Sequence, residues 1–160
     1  EYRERTHAGH QADFLTVGSM GHAVQIALGI ALEKKDRRVY CLDGDGAILM
    51  HMGSLAIVGS ANVKNLIHLV LNNGAHDSVG GQSTVGFEVD CPQIAKSCGY
   101  AQVFSVTNED ELQKVWQQCR YIGPTFIEFK VRKGARPDLG RPKTSPKENK
   151  EAFVDFLKER

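Results

Sequence analysis

Several features that would place a protein in a membrane, on nucleic acid or among disulfide-bonded domains are missing from this sequence. No run of about eighteen uncharged apolar residues, the length that spans a bilayer, occurs in it. The charges nearly cancel, with 20 Lys and Arg against 19 Asp and Glu, so no overall field favours nucleic acid or a membrane surface. The four cysteines form no C-x-x-C pair and have no His partner at zinc-finger spacing. These absences predict a reduced, cytoplasmic protein.

The chain also lacks an initiating methionine and the chemistry of a secretory signal, because it opens on Glu1-Tyr2-Arg3-Glu4-Arg5. We therefore interpret it as part of a longer enzyme or assembly. Its 160 residues suit one domain that buries its own core. We expect residues 1–160 to form that single domain.

Short apolar runs alternate with helical patterns along most of the chain, which predicts an α/β fold with an open parallel sheet and helices on both faces. We expect a sheet of about six strands, and the sequence locates strands at 14–17, 39–42, 66–71, 101–106 and 125–131. The run at 39–42 is continuously apolar, which favours a strand covered on both faces. The run at 125–131 mixes Glu128 and Lys130 with aromatic residues, so we place it near an edge.

The helical patterns lie between these runs. They cover residues 20–32, 47–61, 92–98 and 108–119, and a final helix is predicted within 145–160. The segment 132–144 contains Gly134, Pro137, Gly140 and Pro142 and no apolar periodicity, so we expect an exposed loop there. Apolar residues on nearly all sides of helix 20–32 predict that a partner covers part of it.

Two polar turns close neighbouring strands. Gly44-Asp45-Gly46 follows the second predicted strand, and Asn72-Asn73-Gly74 follows the third. Ligands of open parallel sheets sit beyond the carboxyl ends of the strands. The glycines let the backbone approach a phosphate, and Mg²⁺ accepts carboxylate, amide, carbonyl and phosphate oxygens. Together, the turns predict a metal site for a phosphorylated ligand.

This pair of motifs closely resembles the diphosphate-and-metal motif of thiamine diphosphate enzymes, with Gly18-Ser19-Met20-Gly21 in the place of their cofactor loop. The resemblance covers residues 13 to about 131. The wording of residues 10–22 and 72–82 is most similar to the branch of the family that decarboxylates phosphonopyruvate, with the sulfopyruvate enzymes as near relatives. The resemblance implies a thiamine diphosphate-binding fold in a lyase that uses thiamine diphosphate and Mg²⁺.

The resemblance also implies roles for matching positions. The metal ligands would be the Asp45 and Asn73 side chains and the Ala75 carbonyl. Met20 would support the bent cofactor, and the Gly46 and Ala47 amides would lie near the diphosphate. The full set of expected cofactor contacts is Gly18, Ser19, Met20, Gly44, Asp45, Gly46, Ala47, Asn73, Ala75 and His76.

His76 and Asp77 directly follow the metal turn, so we expect them to border the reacting carbon as catalytic residues. Two other histidines, His51 and His68, are expected to be structural, and His68 to be a satisfied core residue. The substrate implied by the resemblance is a small anionic 2-oxo acid, with phosphonopyruvate yielding phosphonoacetaldehyde and CO₂.

In this family the cofactor is activated by a Glu on a separate pyrimidine-binding domain, which no segment before His10 can supply. We therefore expect this chain to be the diphosphate-binding half, inactive without that domain or subunit and part of a homo-oligomer, at least a dimer.

Two kinds of alternative remain open at this stage. The chain could serve a sulfopyruvate decarboxylase or an acetolactate-synthase-like enzyme. It could also be a noncatalytic nucleotide-binding module, although the first predicted strand is followed by no G-x-G-x-x-G motif.

Overall fold

The structure is a computed structural model that describes residues 11–135, 137–138, 140 and 142–159. The chain forms two compact units. One comprises residues 1–19 and 136–160, and the other comprises residues 20–135. The larger unit contains the sheet and most of the predicted site residues.

Four parallel strands build the described sheet of the larger unit. They are β1 (Val39–Gly44), β2 (Leu66–Asn72), β3 (Gln102–Val106) and β4 (Thr125–Lys130). Their spatial order is β1-β2-β4-β3, and every neighbouring pair is parallel. The carboxyl ends of all four strands therefore lie at one edge of the sheet.

Helices cover both faces of this sheet, as the alternating pattern predicts. The helices of the larger unit are α1 (Ala23–Glu33), α2 (Asp45–Met50), α3 (Gly53–Ala61), α4 (Cys91–Ser97) and α5 (Glu109–Gln118). Residues of α1, α3 and α4 share one buried core with Val70 and Phe126 of the sheet. On the opposite face, Val115 of α5 packs with Ile67 and Ile127. The predicted α/β fold is confirmed.

Side-chain caps explain where two of these helices begin. The Asp90 side chain accepts a hydrogen bond from Gln93 N before α4, and the Asn108 side chain accepts one from Glu111 N before α5. The Glu111 carboxylate in turn accepts from Thr107, whose backbone amide and then hydroxyl hold its pKa below the ordinary value. Three acidic residues in the first turn of α5 also interact favourably with the helix dipole.

The strand count and the edge assignment need correction. Within the described residues the sheet has four strands instead of about six, and residues 14–17 form no strand. β4 is an interior strand between β2 and β3, so its predicted edge position is wrong. The edge position was predicted because charged residues usually face solvent. Glu128, however, is only 3% exposed and is hydrogen-bonded within the protein.

β1, by contrast, is an edge strand of the described sheet, and the described residues do not cover both of its faces. Cys41 is buried, whereas Tyr40 and Leu42 on the other face are 45% and 66% exposed. Tyr40 stacks on Trp116 of α5, with 5.4 Å between ring centroids. The continuous apolar run at 39–42 therefore correctly predicted a parallel strand, but the prediction that both faces of this strand are covered was wrong.

The long helix predicted at 47–61 is two helices. α2 begins earlier, at Asp45, and ends at Met50, and α3 starts at Gly53. The break falls at His51, whose backbone leaves the helical region with φ −135° and ψ 48°. The ring of His51 lies 4.1 Å from that of His22, centroid to centroid, so tertiary packing fixes the interruption.

The smaller unit contains α6 (Pro146–Lys158), which opens on a full capping box between Ser145 and Glu148. Asn149 of this helix donates to the Asp13 carbonyl at 2.8 Å and accepts from the Leu15 amide at 2.8 Å. These bonds use backbone groups that a strand at 14–17 would need for a ladder. The described residues of 132–144 contain no helix or strand and are exposed.

No helix in the part of the chain that the structure describes has the length and apolar character needed to cross a membrane.

Candidate functional site

The two polar turns meet at the carboxyl ends of β1 and β2. Gly44 pairs with Leu71 in the parallel register, so Asp45 emerges beside the Asn72-Asn73 turn. The backbone amide of Asn73 donates a hydrogen bond to Asp45 Oδ1 at 3.4 Å. Asp45 is 1% exposed. The sequence separation of 28 residues between them is thus closed by strand pairing.

A cavity of about 240 Å³ opens at this corner. It is lined by Met20, Gly44, Asp45, Gly46, Ala47, Leu71, Asn73, Ala75, His76, Asp77 and Ser78. These include every residue predicted as a metal ligand, both predicted catalytic residues and most of the predicted cofactor contacts. A Cβ added to Gly44 would meet no atom within 4 Å, so the backbone there borders open space.

Asp45 is buried without a cationic partner. Its Oδ2 accepts a hydrogen bond from the Thr84 hydroxyl, and its Oδ1 accepts one from the backbone amide of Asn73. Among the residues that the structure describes, no Lys, Arg or His nitrogen forms an ion pair with it. A buried carboxylate is costly unless its charge is compensated, so Asp45 is suited to a cation supplied from outside the chain.

The loop after β2 folds back to bring Thr84 onto Asp45. An isolated antiparallel bridge joins Ala75 and Ser83. Beside it, His76 N donates to Gln82 O at 2.8 Å and Thr84 N donates to Gly74 O at 2.9 Å. No motif marks Thr84 in the sequence, and sequence reasoning missed it because its role depends on this fold-back.

Hydrogen bonds fix the orientation of the Asn73 side chain. Its Oδ1 accepts from Ala75 N at 3.0 Å, and its Nδ2 donates to Asp77 Oδ2 at 2.8 Å. Asp77 Oδ2 also accepts from Gly134 N at 2.7 Å. The Asp77 carboxylate therefore ties the turn after β2 to the segment after β4.

His76 packs directly over the turn after β1. A Cβ on Gly46 would lie 2.4 Å from His76 Nδ1, so only glycine leaves room for the imidazole. A similar constraint holds at Gly21, where φ is +88° and a Cβ would lie 2.6 Å from both the Ala47 carbonyl oxygen and the His51 ring. The segment after Met20 and the turn after β1 are therefore in close contact.

A second buried layer supports the corner and was not anticipated from the sequence. Asn72 is fully buried; its Nδ2 donates to Glu128 Oε1 at 2.8 Å and to Gly86 O at 2.7 Å. Its Oδ1 accepts from Gly74 N at 3.1 Å. Glu128 Oε2 accepts from the Ser105 hydroxyl at 2.7 Å. The first asparagine of the pair therefore holds the turn, while the second borders the cavity.

A larger depression, of about 400 Å³, lies beyond Gly86 and is bordered by Phe87, Ser105, Glu128 and Lys130 among others. It contains none of the predicted site residues. The smaller cavity is the candidate site because its donor set is the one that the motifs predicted.

Gly18 and Ser19, also predicted as cofactor contacts, belong to the smaller unit. Both are exposed and have left-handed backbone, with φ of +74° and +45°. A positive φ is uncommon for a residue such as Ser19. This turn is therefore held in a conformation that an ordinary loop seldom adopts.

The donor chemistry of the corner fits a hard divalent cation. Asp45 offers carboxylate oxygens, Asn73 an amide oxygen and Ala75 a backbone carbonyl, and all three residues line the same cavity. Mg²⁺ prefers such oxygen ligands and keeps further positions for water and phosphate.

Comparisons with known proteins agree with this chemistry. Residues 2–129 match the family described as "Thiamine pyrophosphate enzyme, C-terminal TPP binding domain". The phosphonopyruvate decarboxylase of Streptomyces viridochromogenes is 44% identical over 145 residues, which cover 90% of this chain and 36% of that protein. A sulfopyruvate decarboxylase subunit beta of Methanococcus maripaludis is 38% identical over 148 residues, which cover 92% of this chain and 79% of that subunit.

A solved structure shares the fold. The thiamine diphosphate-dependent 4-hydroxybenzoylformate decarboxylase of Rhodococcus jostii RHA1 superposes with a TM-score of 0.59 at 18% identity, over 71% of this chain and 23% of that one. The chain spans about a third of the length of the phosphonopyruvate decarboxylases that it matches, 36% in each case. By its matched residues and its fold, the chain belongs to the family of thiamine pyrophosphate enzymes, as their C-terminal TPP-binding domain.

Proposed function

We propose that this chain is the diphosphate-binding part of a thiamine diphosphate- and Mg²⁺-dependent decarboxylase that converts phosphonopyruvate to phosphonoacetaldehyde and CO₂. The observation that carries the proposal is the buried carboxylate of Asp45, which has no cationic partner among the described residues and lines one cavity with Asn73. The 44% identity to a phosphonopyruvate decarboxylase supports the choice of substrate.

In this proposal Asp45, Asn73 and Ala75 hold Mg²⁺ against the diphosphate. The Gly46 and Ala47 amides lie at the start of α2 and donate to phosphate oxygens. The bound cofactor supplies a nucleophilic carbon and an electron sink for the electrons released with CO₂. The protein residues position that group and exclude water from it.

Met20 and His76 both line this cavity. Met20 would give the cofactor an apolar support. His76 borders the reacting carbon and exchanges a proton there. Asp77 already accepts hydrogen bonds from Asn73 and Gly134, so its part in catalysis is to hold the loop that carries His76.

The complete enzyme requires a pyrimidine-binding domain or subunit. In support, the chain corresponds to 36% of its phosphonopyruvate decarboxylase relatives, whereas a sulfopyruvate decarboxylase relative is named as a beta subunit. Ile26 and Leu32 of α1 are 36% and 44% exposed, and they offer an apolar surface for that partner. We infer an assembly that is at least dimeric. Buried free thiols at Cys41 and Cys91 suit a reducing, cytoplasmic location.

A sulfopyruvate decarboxylase is the second candidate. It is supported by the 38% identity to the Methanococcus maripaludis subunit over 148 residues. Both substrates are 2-oxo acids with a second anionic group, so the same cofactor site would serve either.

The first test is thermal stabilisation of the protein by thiamine diphosphate with and without Mg²⁺, compared with FMN and NAD. We expect a rise in melting temperature only when thiamine diphosphate and Mg²⁺ are both present. An equal response to FMN or NAD, or none to any ligand, would refute the cofactor assignment.

The second test is CO₂ release from phosphonopyruvate and from sulfopyruvate by the complete enzyme. Faster turnover of phosphonopyruvate is expected, and a preference for sulfopyruvate would transfer the assignment to the second candidate. The isolated chain should bind the cofactor but release no CO₂. Turnover by this chain alone would contradict the need for a second domain.

A further inference from the structure

Three potential metal ligands converge inside the core, behind the corner already described. Cys41 and Asp43 point to the same face of β1, and Cys41 is directly opposite His68 on β2. Their Sγ, carboxylate oxygen and imidazole nitrogen all lie within 4.8 Å of one another. Cys41 is 4% exposed and His68 is fully buried. These residues form a group that the cofactor site does not use.

His68 is buried, as predicted. It was also predicted to have all its hydrogen bonds satisfied, and that part is wrong for one ring nitrogen. Its Nδ1 lies 3.2 Å from the Tyr100 hydroxyl. Its Nε2 is buried and has no hydrogen-bond partner in the described structure, although it lies 3.4 Å from Asp43 Oδ2. The two atoms are close but form no hydrogen bond. An unpartnered polar atom of this kind is costly in a protein core.

The surroundings of His68 hold its ring in place. The Tyr100 hydroxyl fixes the Nδ1 side, and Phe126 contacts the ring edge to face, with centroids 5.5 Å apart. Metal-binding histidines are commonly oriented in this way by a hydrogen bond to the other ring nitrogen. The consequence is that Nε2 is directed at the space shared by Asp43 and Cys41.

The geometry of this group resembles part of a tetrahedral site. Zinc bonds of about 2.0 to 2.1 Å to nitrogen and oxygen put neighbouring ligands roughly 3.4 Å apart, and the distance between His68 Nε2 and Asp43 Oδ2 is 3.4 Å. A thiolate, a carboxylate and an imidazole form a donor set for borderline transition metals, unlike the all-oxygen set at Asp45.

We propose that Cys41, Asp43 and His68 form a buried structural site for one borderline divalent transition metal of the Zn²⁺ class, with water in the fourth position. On binding, the Cys41 Sγ–H bond is broken and the proton leaves to solvent, while no electron is transferred. The thiolate and the carboxylate then balance the two positive charges. The site is independent of the Mg²⁺ and diphosphate chemistry proposed above.

The metal would fix the end of β1 that carries the cofactor turn. Asp43 Oδ1 accepts a hydrogen bond from Gly44 N at 3.2 Å, and Asp45 follows immediately. A metal bound to Asp43 therefore restricts the backbone at the residue before the predicted Mg²⁺ ligand. The expected result is a more stable protein with unchanged cofactor specificity.

The test uses the complete protein, freed of metal with a chelator and titrated with Co²⁺ as a coloured substitute for Zn²⁺. We expect one equivalent to bind with a cobalt–thiolate charge-transfer absorption, and Zn²⁺ to displace it. Cys41→Ser should remove that absorption and weaken Co²⁺ binding by about 10-fold or more. Cys91→Ser is the matched control, because Cys91 is equally buried in the same core but lies outside the group.

If Cys41→Ser does not fold, the metal site can be tested on the wild-type protein alone. X-ray absorption of the zinc-loaded wild type should report one sulfur and two or three nitrogen or oxygen neighbours. Binding of less than about 0.1 equivalent, or a thiolate absorption that survives in Cys41→Ser, would overturn the proposal. Stabilisation by thiamine diphosphate with Mg²⁺ is measured in the same samples and tests the cofactor assignment separately.

Discussion

Asp45 and Glu128 are two buried carboxylates on either side of β2, but the protein treats them differently. Asp45 directly follows β1 and is 1% exposed, whereas Glu128 lies within β4 and is 3% exposed. Glu128 accepts hydrogen bonds from Asn72 and Ser105, and Lys130 Nζ lies 3.9 Å from its Oε2. Asp45 accepts from the Thr84 hydroxyl and has no cationic partner among the described residues.

We propose that this difference separates a structural carboxylate, Glu128, from a metal-binding carboxylate, Asp45. Where the chain itself supplies the donors and a nearby cation, as for Glu128, burial stabilises the strand ends. For Asp45 the described residues supply no cation, which supports the proposal that a cation from outside the chain binds there. Asn72 lies between the two carboxylates and keeps the turn beside Asp45 in register with the layer around Glu128.

The largest expected effect is on cofactor binding when the charge of Asp45 is removed. In Asp45→Asn the shape is kept but the anionic ligand is lost, so we expect Mg²⁺-dependent affinity for thiamine diphosphate to fall by more than about 100-fold. Calorimetric titration of the complete protein measures it. The exposed residue Asp36 provides the control, since Asp36→Asn should bind as the wild type does. An affinity within threefold of wild type would show that Asp45 is not a ligand.

Glu128→Ala should mainly lower the free energy of unfolding. The affinity of the folded variant for ligands should change less. It leaves the Asn72 amide and the Ser105 hydroxyl without their acceptor in a buried layer, which costs about 2 to 3 kcal/mol in unfolding free energy. Urea unfolding gives this value. Glu88→Ala, at an exposed position, should change stability by less than about 0.5 kcal/mol. Similar losses in the two variants would remove the contrast between Glu128 and an ordinary surface carboxylate.

Gly86→Ala tests both carboxylate environments at once, with a smaller effect. A Cβ there would lie 2.5 Å from Asp45 Oδ2 and 2.7 Å from Asn72 Oδ1, so both side chains must shift. We expect cofactor affinity to fall by about 10-fold.

Gly29→Ala is the matched control for that substitution. Its Cβ would meet nothing within 4 Å, on an exposed position of α1. It should leave affinity unchanged and stabilise the helix by up to about 1 kcal/mol. Equal binding by the two alanine variants would mean that the Gly86 contact does not position Asp45.

Several parts of the fold follow from local sequence. Alternating apolar runs and helical patterns identified four strands and most helices, because the pattern of buried residues has the period of the element that buries them. The capping box at Ser145 and the acidic first turn after Asn108 marked two helix starts. The identities of Asp45 and Asn73 as a pair also came from the sequence, through their motifs and spacing.

Other parts depended on contacts that no local pattern encodes. The interior place of β4 depends on partners for Glu128 from two other strands. The contact of Thr84 with Asp45 depends on the loop segment from Gly74 to Val85, which folds back on itself. The sequence of this segment has no motif that predicts the fold-back. The unpartnered nitrogen of His68 likewise arises from the register of β1 and β2.

The sequence by itself therefore determined the α/β class, the parallel strands and the pair of turns that suit a metal and a diphosphate, because periodicity and turn chemistry are local properties of the chain. Only the tertiary structure decided which buried carboxylate has a cationic neighbour among the described residues and which has none. That distinction depends on donors from β2, β3 and the loop after β2, and strand pairing brings them together over separations of up to 56 residues.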